Sequence, residues 1–279
     1  MLNQVALVSQ TTAVSLQELV KVAAALQKQV SRDFGPIWGV NATVDAFAQL
    51  RDVPLGYWPI VIRDDVAQKF DAAGIHLDKS GQPFALVQTS EGWPLTVSHE
   101  ALEMLSDPFG DRLVAGRGVV NSQKRVEYLV EVCDPSEDDR FGYTVNDILL
   151  SDFYTPHFFD PVPGNGVRYS FTGAITKPRT VLRGGYLSWH NPPDDHWYQL
   201  TWFGGSKAKL RDLGVFEASS MSTREWIDMR TSTPRRERIA KAKPRPAYTV
   251  IAKAAGTPTS SSGRARMIEE HIAMLMHKA

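Results

Sequence analysis

The stretch from Trp93 to Pro108, reading WPLTVSHEALEMLSDP, constrains this chain more than any other. Its apolar residues Trp93, Leu95, Val97, Leu102, Met104 and Leu105 surround three ionisable ones, His99, Glu100 and Glu103. A helix this apolar belongs inside a protein rather than on its surface. Charges buried with it are costly unless they are paired or bound to a metal. Pro94 suits a first helical turn, and Thr96 or Ser98 can help cap it. Asp107-Pro108 and then Gly110 mark the stop, because the residue before proline resists the helical conformation and glycine permits a sharp exit. The spacing predicts a helix of about three turns with an HExxE motif at its centre.

On that helix His99 and Glu103 are four residues apart and share a face, with roughly 5–6 Å between their Cβ atoms. One helix thereby offers two ligands to a metal ion, and zinc accepts carboxylate oxygen at about 2.0–2.2 Å. Glu100, the next residue, is placed to take a proton from a metal-activated water. The same logic underlies the HExxH helix, here with a carboxylate in the second ligand position. The bland alternative, solvent-facing glutamates beside a satisfied buried histidine, fits poorly with the apolar surroundings.

A catalytic zinc site usually takes three protein ligands. The run Tyr128-Leu129-Val130-Glu131-Val132-Cys133-Asp134-Pro135 reads as a strand delivering a carboxylate, with Asp134 the first choice for third ligand and Glu131 the second. Asp134-Pro135 also reads as a turn opening, and Glu137 to Asp139 as a solvated acidic loop. No glycine stands where an EF-hand requires one. His157 is the reserve third ligand, whereas His190 and His196 read as surface or packing histidines. Tyr143 is a candidate hydrogen-bond donor to an oxyanion. Cys133, the one cysteine, reads as a packing residue and excludes an internal disulfide.

HExxE-x3-Asp-Pro, followed by Glu131 and Asp134 with a cysteine between them, resembles the zincin-like metallopeptidases and their relatives. Among these are bacterial proteins with an HExxE helix and an acidic strand-end motif and, more loosely, secreted plant phosphate-induced proteins. The matching residues are His99, Glu100, Glu103, Asp107, Pro108, Glu131 and Asp134. The resemblance implies a zincin-type sheet with the active-site helix packed against it. It further implies His99 and Glu103 as zinc ligands and Glu100 as general base. Glu103 departs from the second histidine of the best-understood zincins, which leaves hydrolysis and simple metal binding both open.

The 279 residues carry 31 basic and 31 acidic side chains. From Ser206 to Ala279 there are 15 Lys and Arg against 7 Asp and Glu, a net +8, which leaves −8 on the remainder. That asymmetry, with Pro-, Ser- and Gly-rich runs at 234–246 and 256–263, divides the chain into a unit at 1–205, expected to bind metal, and a basic linker or tail at 206–279. The tail ends in a short helix bearing Met267, Ile268, Ile272, Leu275 and Met276, expected to dock on a protein partner. Nucleic acid is disfavoured, because Tyr248 alone interleaves with the positive charges. No signal peptide and no membrane-spanning run is read, so the expected compartment is the cytoplasm.

Strands are expected at Val5 to Val8, Trp38 to Phe47, Trp58 to Ile62 and Phe84 to Val87. Helices are expected at Val14 to Phe34 and Val66 to Ala73. Aromatic, β-prone runs flanking Asn191-Pro192-Pro193-Asp194 predict a hairpin. The fold class is therefore α/β in the α+β sense: a zincin-like mixed sheet with a metal-binding helix, a β-hairpin region and an extended basic C-terminal tail. Two functions follow as expectations. One is a zinc-dependent hydrolase acting on peptide or protein through a metal-activated water. The other is a non-catalytic binding or assembly protein that keeps the fold and docks through its tail.

Overall fold

The computed structural model describes residues 2–66, 73–217, 221–231 and 262–277. Strand β1 (Leu2–Ser9) is fully buried from Val5 to Val8, as expected of a strand covered on both faces. It lies between parallel partners β2 (Asn41–Phe47) and β3 (Tyr57–Arg63). β5 (Gln82–Gln88) continues the sheet parallel to β3, and β4 (Gly74–Lys79) closes its edge antiparallel to β5. The resulting order is β2-β1-β3-β5-β4.

Helix α1 (Leu16–Lys28) opens on a reciprocal cap: Ser15 Oγ accepts from the Glu18 N–H, and the Glu18 carboxylate accepts from the Ser15 N–H at 2.9 Å. It runs on through a π-helical segment, Gln29–Phe34, into the short helix α2 (Gly35–Trp38). Gly39, left-handed at φ 67°, ends α2, so Trp38 is helical and β2 starts three residues later than the alternation predicts. The expected helix at Val66 to Ala73 falls largely outside the described residues. β4, which the sequence reading did not place, follows directly.

Helix α3 (Trp93–Ser106) carries HExxE and leads into the second sheet. This sheet is antiparallel and consists of β6 (Leu113–Arg117), β7 (Arg125–Leu129), β10 (Tyr186–Asn191), β11 (His196–Thr201) and β12 (Lys209–Val215), in the order β12-β11-β10-β7-β6. The expected hairpin is β10–β11, in register from Tyr186 opposite Thr201 to Asn191 opposite His196. A small hairpin, β8 (Tyr143–Val145) and β9 (Ile148–Leu150), lies between β7 and β10 in the chain. The molecule is thus of mixed α and β structure.

One core fills the space between the sheets, joining Val5, Leu7, Ile60 and Val87 to Leu26 of α1, Leu102 of α3, and Tyr128 and Trp189 of the second sheet. The other face of the first sheet meets α5 (Ser262–His277), whose Ile268, Ile272 and Leu275 join Val61, Ile75 and Phe84. Of the terminal-helix residues expected to dock on a partner, Ile268, Ile272 and Leu275 are buried on the chain itself and Met276 partly so, while the side chain of Met267 lies outside the described residues. The segment after residue 205 also supplies β12 and helix α4 (Thr223–Thr231). The basic runs at 234–246 and the stretch 256–261 lie outside the described residues. Among the described residues no helix is long and apolar enough to cross a membrane.

Asp152 is buried beside β9; its Oδ1 accepts from the Thr172 N–H at 2.9 Å and its Oδ2 has no hydrogen-bond partner. Burial pushes its carboxyl up to about 6, against the pull of hydrogen bonds from Thr172 and Ser170. A carboxyl raised on folding favours the folded state below its unfolded value near 3.8, and that advantage is lost as pH rises through about 6. Asp152→Asn is expected to flatten the fall in stability between pH 4 and 6. The gain at pH 7 is at most about 3 kcal/mol, checked by urea unfolding across that range.

Candidate metal centre

Every residue of α3 except Pro94 is buried. The helix packs on β4 and β5, and Gly74 permits the close approach: a methyl group there would stand 2.4 Å from Glu100 Oε1 and 2.6 Å from Thr96 Cγ2. A buried polar network fixes the residue before His99. Ser98 Oγ donates to Gln29 Oε1 (2.7 Å) and accepts from the Ser151 N–H (3.0 Å), while Gln29 Nε2 donates to the Ser151 carbonyl (2.9 Å). At the other end, the Asp107 carboxylate accepts from the N–H groups of Asp111 and Arg112 and folds the chain back. Gly110, at φ 65°, lies against Arg224, and its carbonyl accepts the Arg224 N–H at 2.9 Å, seating the start of α4.

His99 Nε2 stands 3.3 Å from Glu103 Oε2 and 3.2 Å from Asp134 Oδ1. Glu103 Oε1 is held apart by the Cys133 N–H at 3.1 Å, which leaves Oε2 directed at His99. Two donors on one tetrahedral zinc at about 2.0–2.2 Å stand roughly 3.3–3.6 Å apart, and these separations are close to that spacing. Asp134 does not come from a strand, as the sequence suggested. β7 ends at Leu129, and Asp134 opens a short 3-10 turn, Asp134–Ser136, behind Pro135. Glu131, the second choice, pairs with Arg224 Nη1 and brings a donor atom within 4.8 Å of those of Glu103 and Asp134.

Three residues of the centre, Arg224, its partner Asp228 and His76, were missed in the sequence. Arg224 is 4 % exposed and donates from Nη1 to Asp134 Oδ2, from Nε to Asp228 Oδ2 (each 2.9 Å) and from Nη2 to the Tyr186 hydroxyl (3.1 Å). The i, i+4 pair Arg224 and Asp228 was the available signal, obscured by reading 206–279 as a solvated tail. His76, 1 % exposed in β4, has its Nδ1 3.6 Å from Glu100 Oε2 and 3.8 Å from Glu103 Oε2. A histidine between Ile75 and Leu77 in an apolar alternation was the signal there. It needed β4 to be placed first.

At His99, His76, Glu103, Glu131, Asp134 and Asp228, burial works against the charged form and neighbouring charges oppose it with different outcomes. Burial lowers His99 and His76, but Glu103 and Asp134 carry His99 well above the usual imidazole range, and Glu100 and Glu103 raise His76. Burial raises Glu103, yet His99, Arg224 and His76 hold it well below the usual carboxylate range. Burial wins at Glu131, pushed well up, at Asp134, and at Asp228, raised to about 6. Burial also pushes the Cys133 thiol well up, with Glu103 adding to it, so this cysteine is a packing residue and not a thiolate nucleophile.

The donor set suits a divalent cation. Five carboxylates (Glu100, Glu103, Glu131, Asp134 and Asp228) and two imidazoles surround one guanidinium. Burial holds Glu131 toward its neutral form, while Glu103 and Asp134 hold His99 toward its charged one, so the cluster carries less negative charge than its five carboxylates suggest. His99, Asp134 and Glu137, and separately Glu103, Glu131 and Asp134, bring donor atoms within 4.8 Å of one another. The reserve histidine is not part of this arrangement: His157 is 62 % exposed and pairs with Asp160. His190 pairs with Glu127 and Asp195, and His196 with Asp212, on the second sheet. Tyr143 donates to Asp33, away from the centre. Comparison with family models, with curated proteins and with solved structures returns no match.

Proposed function

We propose that the chain is a zinc-dependent hydrolase, a metallopeptidase of zincin-like type, in which His99, Glu103 and Asp134 hold the metal. The observation that carries this is the approach of His99 Nε2 to both Glu103 Oε2 (3.3 Å) and Asp134 Oδ1 (3.2 Å) in a buried centre. The mixed first sheet, with α3 packed on β4 and β5, supports the zincin-like part of the reading. When bound, the cation supplies Lewis acidity toward a carbonyl and lowers the pKa of water. Glu100, one residue beyond the first ligand, takes up the proton released from water and passes it to the leaving amine. Arg224 holds Asp134 Oδ2, so that Oδ1 keeps its aim, as outer partners of metal ligands do. Two carboxylate ligands donate more charge than imidazoles would, so turnover is expected to be slow.

The near-complete burial of the centre, where His99 itself is only 7 % exposed, favours a second reading, in which the cation is structural and the fold serves binding. Metal content of the wild type, His99→Ala and Glu100→Gln, with cleavage of a peptide library, separates the two. The hydrolase predicts zinc lost in His99→Ala and kept at His99 in Glu100→Gln, with cleavage lost in both. Zinc without cleavage in the wild type leaves the structural reading. A wild type that binds no zinc contradicts both.

A further inference from the structure

From the geometry of β4 against α3 we infer that His76, Glu100 and Glu103 form a second divalent-cation site, so that the chain holds two cations bridged by Glu103. The inference rests on the metal reading above and changes one assignment in it: with this site filled, Glu100 is a ligand rather than the acid–base group.

Three observations carry it. His76 is almost wholly buried, yet neither ring nitrogen has a hydrogen-bond partner. Leaving such a group unpaired is expensive, and native proteins rarely do so without a ligand or water. Secondly, its Nδ1 faces Glu100 Oε2 at 3.6 Å and Glu103 Oε2 at 3.8 Å, beyond hydrogen-bond distance, and both oxygens also lack a partner. Three orphaned donor atoms around one point make a cation's coordination set, and the three lie within 4.8 Å of one another. Thirdly, Glu103 Oε2 is the same atom that His99 approaches at 3.3 Å. His76 with Glu100 and Glu103, and His99 with Glu103 and Cys133, are two donor sets that share Glu103, alongside His99 with Asp134 and Glu137 and Glu103 with Glu131 and Asp134.

Paired metals bridged by carboxylate are an established hydrolytic arrangement, in which the cations themselves activate water and clamp the leaving group. Gly74 is consistent with the site, because a methyl group at that position would stand 2.4 Å from Glu100 Oε1 and displace that carboxylate.

The test is metal stoichiometry of the full chain after dialysis against Zn2+ and, separately, Mn2+, with electron paramagnetic resonance of the Mn2+ form. Expected are two equivalents in the wild type, and one each in His76→Ala and His99→Ala. The Mn2+ spectrum is expected to be exchange-coupled and to become an uncoupled six-line signal in either variant. His76→Gln, which keeps a polar group in β4, is expected to behave as His76→Ala does, and circular dichroism confirms that each variant is folded. One equivalent in the wild type, lost in His99→Ala and unchanged in His76→Ala, overturns the second site and leaves the first standing. One equivalent lost in His76→Ala but kept in His99→Ala supports the His76 site and overturns the His99 ligand set. No bound metal overturns both.

Discussion

Replacing Arg224 with methionine is expected to cost the metal-free chain about 3–5 kcal/mol of folding stability, the usual effect of removing one partner from a buried ionic cluster. Arg224 pairs with Glu131, Asp134 and Asp228 and approaches Glu103 at 3.8 Å. Methionine fills much of the volume but leaves those carboxylates without a fixed cation. They then take up protons, and each proton taken up at neutral pH costs free energy. Asp228 already shows the tendency: burial raises it to about 6 even with Arg224 alongside. The distinguishing feature is rescue. Zinc supplies positive charge to the same carboxylates, so the loss measured by urea unfolding in chelator should shrink substantially when zinc is present. An equal loss in both conditions would show that Arg224 neutralises a cluster that takes no metal.

The second large effect is at Glu103, whose Oε2 is shared by His99, His76 and Arg224. Glu103→Gln keeps the acceptor for the Cys133 N–H but removes the charge. Zinc affinity should fall by more than the roughly 10–100-fold typical of losing an outer partner of a metal ligand. Stability of the metal-free chain at pH 7 should fall by about 3 kcal/mol. The pH dependence gives a separate check. Because the Glu103 carboxyl is held well below its ordinary value of 4.5, its ionised form stabilises the fold above that pH, and the contribution is lost as pH falls further. The acid limb of the wild-type stability curve below about pH 4.5 should therefore flatten in Glu103→Gln. A variant with unaltered zinc affinity and acid sensitivity would remove Glu103 from the centre.

The helical part of this centre could be read from the sequence because its information is local. His99 and Glu103 share a face by spacing alone, and the apolar residues around them require burial whatever the rest of the chain does. Asp134 was found for a related reason, since a carboxylate before proline at the end of an apolar run has few places to go. Its backbone setting was misread, because Asp134-Pro135 marks a turn as strongly as a strand end, and in the structure the turn holds it. His76 and Arg224 were invisible for a different reason. Apart from Asp228, four residues after Arg224, their partners are distant in sequence, 24 to 27 residues from His76 and 90 to 121 from Arg224, and only sheet pairing and the docking of α4 bring them together. Charge counting hid Arg224 further. A net +8 over 206–279 suggests a solvated tail, but the average conceals one arginine placed among the carboxylates of the opposite-signed half. The α5 face was legible as apolar, though not as the cover of the chain's own sheet.

The most direct measurement is anomalous scattering at the zinc edge from crystals of the full chain grown with zinc. A peak bounded by His99 Nε2, Glu103 Oε2 and Asp134 Oδ1, within coordination distance of all three, is the predicted result. Crystals that show no peak there, with His99 in hydrogen-bonded contact with both carboxylates and Arg224 still paired, would contradict a metal centre on α3.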